Sequence, residues 1–266
     1  MTVAVITSPD NRVFKNLRRL LDSRGLKRQE RTIAAGEKIV RELAAERPLE
    51  CLSLIVSEKL HDPEAEGLIG QFAASGRLTV LRHALFSELD SFATGGPLLE
   101  IRAPAIPEWG CLPPARGCAL VLPFQDPANL GASIRSAAAF GITDAVLLRE
   151  AANPFHPKSI RASAGAVFRL SFFRGPALGE LVRMPAAQYI VPLDMDGTPI
   201  ERFAFPARFL LLAGIEGQGL PDELRRRAVA IPMVEGVESL NAATAVSIAL
   251  YCLSRRMNEA TASPGK

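Results

Sequence analysis

The sequence predicts an α/β protein built from two domains, and three observations lead to this prediction. Short apolar segments of strand length alternate with segments whose apolar residues recur at helical spacing, a pattern typical of sheets covered by helices. A proline-rich stretch at 104–117 interrupts the alternation and carries four prolines. The chain has 266 residues, 48% of them hydrophobic, so it is long enough for two cores of ordinary size.

The residues before the proline-rich stretch are predicted to form a smaller α/β domain at 1–103. Ser8 and Asn11 supply capping side chains for a first helix, in which Phe14 and Leu17 follow at helical spacing. Further helices are expected at 37–45, 64–74 and 86–91, and strands at 51–57, 78–81 and 98–102. Proline fixes the backbone and lacks an N–H group, so 104–117 is expected to be a linker.

The residues after the linker, 118–266, are predicted to form a second domain with a mostly parallel sheet. Short apolar strands separated by helices favour that arrangement. Strands are expected at 119–122, 145–148, 167–173, 189–193, 209–213 and 228–231, and helices at 130–140, 221–227 and 242–256. The segment Asp194-Met-Asp-Gly197 is interpreted as a turn after a strand, with the glycine at the bend.

Charge is concentrated near the amino terminus. The net charge is only +3, but residues 11–31 hold eight basic and two acidic side chains, which leaves −3 for the other residues. Two interpretations stay open at this point. A run of this kind is typical of a solvated helix face, and it is also the electrostatic footprint of a nucleic-acid surface.

The spacing of cysteines and histidines limits which sites the sequence can form, and the hydropathy pattern limits where the protein is located. Four cysteines form no C-x-x-C pair and three histidines show no zinc-ligand spacing, so we expect reduced thiols and no metal site. The apolar runs are far shorter than a membrane span, and the first residues lack a basic-then-apolar signal pattern. These patterns predict a cytoplasmic protein with no membrane partner.

Three short segments place glycines or polar side chains where predicted strands end. They are Asn129-Leu-Gly-Ala-Ser-Ile-Arg135, Gly214-Ile-Glu-Gly-Gln-Gly219, and Ile231-Pro-Met233 leading to Ser239-Leu-Asn241. Ligands of open α/β sheets bind beyond the carboxyl ends of the strands, so the three segments predict one site. Asn129 is expected at a helix N-cap, and the glycines are expected to let the backbone approach a ligand.

These segments together resemble the SpoU-type, TrmH-like branch of the SPOUT RNA 2′-O-ribose methyltransferases, over residues 118–257. The resemblance implies a trefoil-knot domain, a homodimer, and transfer of a methyl group from S-adenosyl-L-methionine to a ribose 2′-hydroxyl of RNA. The catalytic residues that it implies are Asn129, Arg135, Glu216 and Asn241. Gly214, Ile231, Met233 and Leu240 are implied to bind the cofactor, and Ser239 and Arg161 to bind the substrate.

The first domain resembles the ribosomal-protein-like RNA-binding domains that are attached to such enzymes. The basic helix would then recruit RNA through Arg18, Arg19 and Arg28. Ribosomal RNA is the first expected substrate and transfer RNA the second.

Two departures and one competing motif leave alternatives open. Ile215 and Ala243 stand where the family usually has serine, so a catalytically weak RNA-binding protein of the same fold remains an alternative. The stretch from Asp194 to Thr198 imitates the D-x-D-G-T signature of haloacid-dehalogenase-type phosphatases. Pro199 follows it and no adjacent aspartate pair occurs downstream, so a turn is favoured there.

Overall fold

A computed structural model gives the structure of the chain in two compact units, each with its own sheet. It describes residues 4–22, 26, 30–214, 220–236 and 238–262, with side chains through residue 256. The first unit is Met1–Ala105 with Asn153–Gly165, and the second is Ile106–Ala152 with Ala166–Lys266. Residues 153–165 thus group with the first unit, whereas the sequence analysis assigned them to the second domain at 118–266. The predicted domain limits stay a prediction.

Helices and strands alternate along most of the chain. The helices of the described residues are α1 (Arg12–Arg19), α2 (Glu37–Glu46), α3 (Glu66–Ala74), α4 (His83–Leu89), α5 (Pro127–Ala139), α6 (Pro157–Ala162), α7 (Leu178–Leu181), α8 (Asp222–Arg225) and α9 (Ala242–Ala262). The strands are β1 (Val5–Ile6), β2 (Arg31–Ala35), β3 (Cys51–Ser57), β4 (Leu78–Leu81), β5 (Leu98–Arg102), β6 (Gly117–Leu122), β7 (Asp144–Leu147), β8 (Ser171–Arg174), β9 (Ile190–Pro199), β10 (Arg208–Leu212) and β11 (Val229–Ala230). No helix in these ranges is both long and apolar enough to cross a membrane.

The first unit is a five-stranded mixed sheet in the order β1-β4-β3-β5-β2. Strands β1, β4 and β3 run parallel, and β5 is antiparallel to both β3 and β2. Phe14 and Leu17 of α1 are buried in its core, as their spacing predicts. Residues 153–165 are tied to this unit by Thr32, whose buried hydroxyl donates to the Phe155 carbonyl at 2.6 Å.

The second unit is a six-stranded sheet in the order β11-β9-β10-β6-β7-β8, and every pairing is parallel. The predicted parallel sheet is therefore confirmed. Helices α5 and α9 pack against each other, and the hydroxyls of Ser136 and Ser247 lie 2.6 Å apart in their contact.

The structure corrects two predicted elements of the second unit. The strand predicted at 167–173 is confined to Ser171–Arg174, because residues 166–168 form a 3-10 turn. The turn predicted at 194–197 is wrong, since β9 continues through Pro199 and pairs with β11. Gly197 is required by close packing instead of a bend: a β-carbon there would lie 2.5 Å from the Ala228 carbonyl.

Candidate active site

A cavity of about 600 Å³ opens in the second unit beside β9, β11 and the start of α9. It is lined by Leu193, Asp194, Met195, Asp196, Gly214, Leu220, Arg225, Val229, Ile231, Met233, Ser239, Leu240, Asn241, Ala242 and Ala245. The lining includes all four residues predicted to bind the cofactor. It also includes Asn241, which was predicted to be catalytic, and Ser239, which was predicted to bind the substrate. The second and third sequence segments therefore contribute to one site, as predicted from their places after strands.

Sequence reasoning missed the acidic side of this cavity. The side chain of Asp194 is 15% exposed, and its Oδ2 lies 3.9 Å from Nε of Arg225. Its Oδ1 accepts a hydrogen bond from the backbone N–H of Asp196 at 3.1 Å. The available signal was the D-x-D spacing, which drew attention to these aspartates but as a phosphatase signature. In the structure they form part of a cavity wall, and an arginine faces the first of them.

Asn241 caps helix α9 and reaches helix α5. Its Oδ1 accepts from the backbone N–H groups of Ala243 and Thr244, at 3.0 and 3.1 Å. Its Nδ2 donates to Oδ1 of Asn129 at 3.1 Å. The first sequence segment is thereby joined to the third, because each asparagine belongs to one of them.

Asn129 does not have the N-cap position that the sequence predicted. Helix α5 begins at Pro127, three residues before the predicted start, because Pro127, with its fixed backbone and absent N–H group, suits the first turn. Asp126 is the cap, and its carboxylate accepts from the Ala128 N–H at 3.2 Å. The Asn129 amide is thus not required for capping and is directed to Asn241.

Arg135 lies on α5 with an exposed side chain and is not among the residues that line the cavity. Its neighbour Ser136 faces α9, and successive helical residues are turned by about 100°. Arg135 therefore projects beside the contact between the two helices, in the same unit as the cavity.

The predicted RNA-binding arginines that the structure describes belong to the first unit. Arg18 and Arg19 lie on α1 with exposed side chains, and Arg18 Nη1 is 3.7 Å from Glu88 Oε2. Arg161 lies on α6, with its guanidinium 4.9 Å from the ring centre of Phe92. Two predicted site residues, Arg28 and Glu216, lie outside the described residues.

Two cysteines, Cys51 and Cys118, are suited to packing and not to nucleophilic chemistry. Burial raises the pKa of the Cys118 thiol to about 12 and that of Cys51 to about 11. Thiolates are the reactive form, so these two side chains stay protonated and unreactive near neutral pH. All four cysteines are free.

Comparison with known proteins agrees with this geometry. Residues 119–251 match the SpoU rRNA methylase family. A ribosomal RNA small subunit methyltransferase G 2 of Syntrophobacter fumaroxidans is 46% identical over 261 residues, which cover 97% of this chain and 51% of that protein. A 23S rRNA (uridine(2479)-2′-O)-methyltransferase of Streptomyces viridochromogenes is 35% identical over 149 residues, or 52% of each chain. The chain thus spans about half the length of these curated relatives.

The fold agrees with that of a solved enzyme. The crystal structure of the SpoU methyltransferase AviRb from Streptomyces viridochromogenes, in complex with the cofactor AdoMet, superposes with a TM-score of 0.76. The superposition covers 93% of this chain and 98% of that one, at 26% sequence identity. The predicted α/β fold class is therefore confirmed.

Proposed function

The chain belongs to the SpoU rRNA methylase family, and on that premise we propose that it methylates a ribose 2′-hydroxyl of ribosomal RNA. The predicted family is confirmed. The class of enzyme, an RNA methyltransferase that uses S-adenosylmethionine, is supported by the SpoU methyltransferase solved with AdoMet. The ribose position and the ribosomal substrate are the proposal, supported by the relative whose name specifies uridine 2′-O-methylation of 23S rRNA. Because the chain spans half of that relative, the activity of the whole protein belongs to the proposal too.

The cavity in the second unit is the observation that carries this proposal. Its volume of about 600 Å³ lies within the range of ligand pockets, which combine apolar walls with a few polar groups. Leu220, Ile231 and Leu240 provide apolar walls that suit an adenine ring. Asp194 provides a carboxylate that suits ribose hydroxyls or a positive charge. The residues present therefore fit S-adenosylmethionine.

The reaction requires orientation more than acid or base strength. The sulfonium cofactor supplies an activated methyl group when bound, so the residues of this chain need to align the ribose oxygen with it and exclude competing water. A guanidinium stays protonated at neutral pH and is a poor base. We assign Arg135 to binding an RNA phosphate or the oxygen that becomes negative, with the proton leaving to water.

RNA recruitment is assigned to the first unit. Exposed arginines of α1, together with Arg161, supply the guanidinium forks that suit phosphate oxygens. We expect Arg18→Glu and Arg19→Glu together to weaken RNA binding and flatten its dependence on salt. Unchanged binding and salt dependence in that double variant would remove the recruiting role.

Several expectations from the sequence stay predictions. Transfer RNA is the second expected substrate, and the trefoil knot, the homodimer and the cytoplasmic location each await a direct test. The catalytically weak RNA-binding protein is the alternative function, and Ala243, which replaces the usual serine at the start of α9, is the observation that favours it.

The test of the proposed function is methyl transfer from labelled S-adenosylmethionine to unmodified ribosomal RNA. We expect alkali-resistant label at one ribose, and a fall of about 100-fold for Arg135→Ala, the usual cost of removing one positioned donor. Arg183→Ala, which removes another exposed arginine of the second unit, is the matched control and should leave the rate unchanged. Cofactor binding without transfer to any RNA would instead support the alternative function.

A further inference from the structure

Arg161 is stacked on an aromatic ring, and its guanidinium has no acceptor among the described residues. Its Cζ lies 4.9 Å from the centre of the Phe92 ring, and its side chain is exposed. Three other arginines in the same part of the chain also lie over aromatic rings. Arg77 and Arg256 donate to backbone carbonyls, and Arg208 donates to a tyrosine hydroxyl. The stacked guanidinium of Arg161 therefore differs from these in having N–H groups that are available to a ligand.

The Phe92 ring lies in a loop that the buried carboxylate of Asp90 holds in shape. One carboxylate oxygen accepts from the hydroxyl of Thr94 at 3.0 Å, and the other accepts from the N–H of Gly95 at 2.8 Å. The N–H of Ala93 donates to the Asp90 carbonyl at 2.9 Å. The ring itself is partly buried and packs against the core of the first unit. It is therefore a fixed surface, which limits the orientations of the guanidinium above it.

The backbone that carries Arg161 is fixed at both ends of α6. At the start of the helix, Nδ1 of His156 accepts from the N–H of Lys158 at 3.2 Å. Just beyond its end, the N–H of Gly165 donates to the Ile160 carbonyl at 2.9 Å. The helix and the loop with the ring both belong to the first unit. The arginine and the ring are thus each anchored within one compact unit before any ligand binds.

We propose that Phe92 is a positioning residue, which holds the Arg161 guanidinium as a two-pronged donor to one phosphate group of the RNA substrate. This inference rests on the proposed function, which brings phosphate to this unit. A guanidinium donates two parallel bonds to a phosphate only when its plane has the right orientation. A ring attracts the cation over its face and restricts that plane, so less side-chain freedom is lost when the phosphate binds.

Filter binding of unmodified ribosomal RNA at several salt concentrations separates the charge of Arg161 from its orientation. Phe92→Leu keeps an apolar side chain on the core and removes the ring, so affinity should fall about fivefold. The dependence on salt should not change, because the positive charge remains. Phe92→Tyr keeps the ring and should bind as the wild type does. Arg161→Gln removes the charge, so the salt dependence should fall by about one phosphate contact.

A double-mutant cycle tests whether the ring acts through the arginine. Arg161→Lys keeps the charge but loses the planar fork, so its affinity should also fall about fivefold. A lysine has no plane for the ring to orient, so adding Phe92→Leu to that variant should change affinity by less than about twofold. Arg77→Lys is the matched control. Arg77 also lies over a ring, but it donates to the Cys51 carbonyl at 2.8 Å, so its replacement should leave RNA binding unchanged.

The outcomes distinguish this inference from the proposed function. If Phe92→Leu weakens binding equally with Arg161 and with lysine at 161, the ring acts through packing alone and the positioning role is wrong. Weak binding by Phe92→Tyr, or an unchanged salt dependence in Arg161→Gln, would also overturn the inference. If the variants bind as expected but the wild type methylates no RNA, the proposed function fails while the phosphate contact stands. If the wild type binds no RNA, both fail.

Discussion

Gly197 is the position where the structure makes its sharpest prediction about stability and cofactor binding together. An alanine β-carbon at 197 would lie 2.5 Å from both C and O of Ala228, and 2.7 Å from N of Val229. Non-bonded carbon atoms pack at about 3.5–4.0 Å. Backbone atoms cannot turn aside as a flexible side chain can, so β11 has to move away from β9 by roughly 1 Å.

That displacement breaks hydrogen bonds and changes the cavity wall. The N–H of Thr198 donates to the Ala228 carbonyl at 2.8 Å, and the N–H of Ile200 donates to the Ala230 carbonyl at 2.8 Å. Losing these two bonds at about 1 kcal/mol each, with overpacking of about 1–3 kcal/mol, gives a loss of roughly 3–5 kcal/mol in the free energy of unfolding. Because β11 leads directly to Ile231, we also expect weaker binding of S-adenosylmethionine.

Urea unfolding and calorimetric titration with S-adenosylmethionine measure both effects in Gly197→Ala. The matched control is Gly179→Ala in α7, where an added β-carbon meets no atom within 4 Å. Alanine favours the helix, so that control should be neutral or slightly stabilising. The reasoning is refuted if Gly197→Ala stays within about 0.5 kcal/mol of the wild type, which is the range of an ordinary surface substitution.

Three more predictions test separate parts of the molecule. In calorimetric titration, Asp194→Asn should weaken binding of cationic S-adenosylmethionine about fivefold, and binding of its uncharged product S-adenosylhomocysteine less than about twofold. Equal effects on the two ligands would contradict a role for the carboxylate charge. The buried hydroxyl of Ser133 has no hydrogen-bond partner among the described residues, whereas the buried hydroxyl of Ser163 donates to a backbone carbonyl. In urea unfolding, Ser133→Ala should therefore be neutral or stabilising, and Ser163→Ala should cost about 1 kcal/mol. Burial and the charge of Lys158 lower the pKa of His156, whose Nδ1 accepts the Lys158 N–H. The contribution of this histidine to stability is therefore present above its ordinary pKa of 6.5 and is lost as the pH falls toward its lower folded pKa. His156→Asn should reduce that loss of stability between about pH 7 and 5, and an unaltered pH profile would count against this reasoning.

The cavity could be predicted from the sequence largely because its residues follow strands locally. Gly214 comes directly after an apolar run, and Ile231 and Leu240 lie in a short segment of fixed spacing. In a parallel sheet the carboxyl ends of the strands meet at one edge, so local assignment of strands is enough to bring such residues together. Errors of one or two residues in strand limits do not disturb this conclusion.

One error came from a stretch whose conformation is decided by a distant part of the chain, and the other has a local cause. The stretch from Asp194 to Gly197 has the composition of a turn, yet pairing with β11 extends the strand through it. Asn129 has the chemistry of a cap, but Pro127 suits the first helical turn, and the helix starts three residues upstream of the predicted position. The pairing of β9 with β11 is not visible in a local window, and neither is the hydrogen bond between Asn129 and Asn241, which spans 112 residues.

The hydrogen bond from Thr32 to Phe155 bears on how the chain is made. The ribosome delivers residues in order, and domains generally fold as their chain emerges. The first unit contains residues 153–165, so it cannot close until the intervening stretch at 106–152 has been synthesised. A nascent chain that has just passed the proline-rich stretch would hold the Thr32 hydroxyl without its carbonyl acceptor. The first unit is therefore expected to close only during synthesis of the second, and a gene cut at that stretch would express the first unit without residues 153–165.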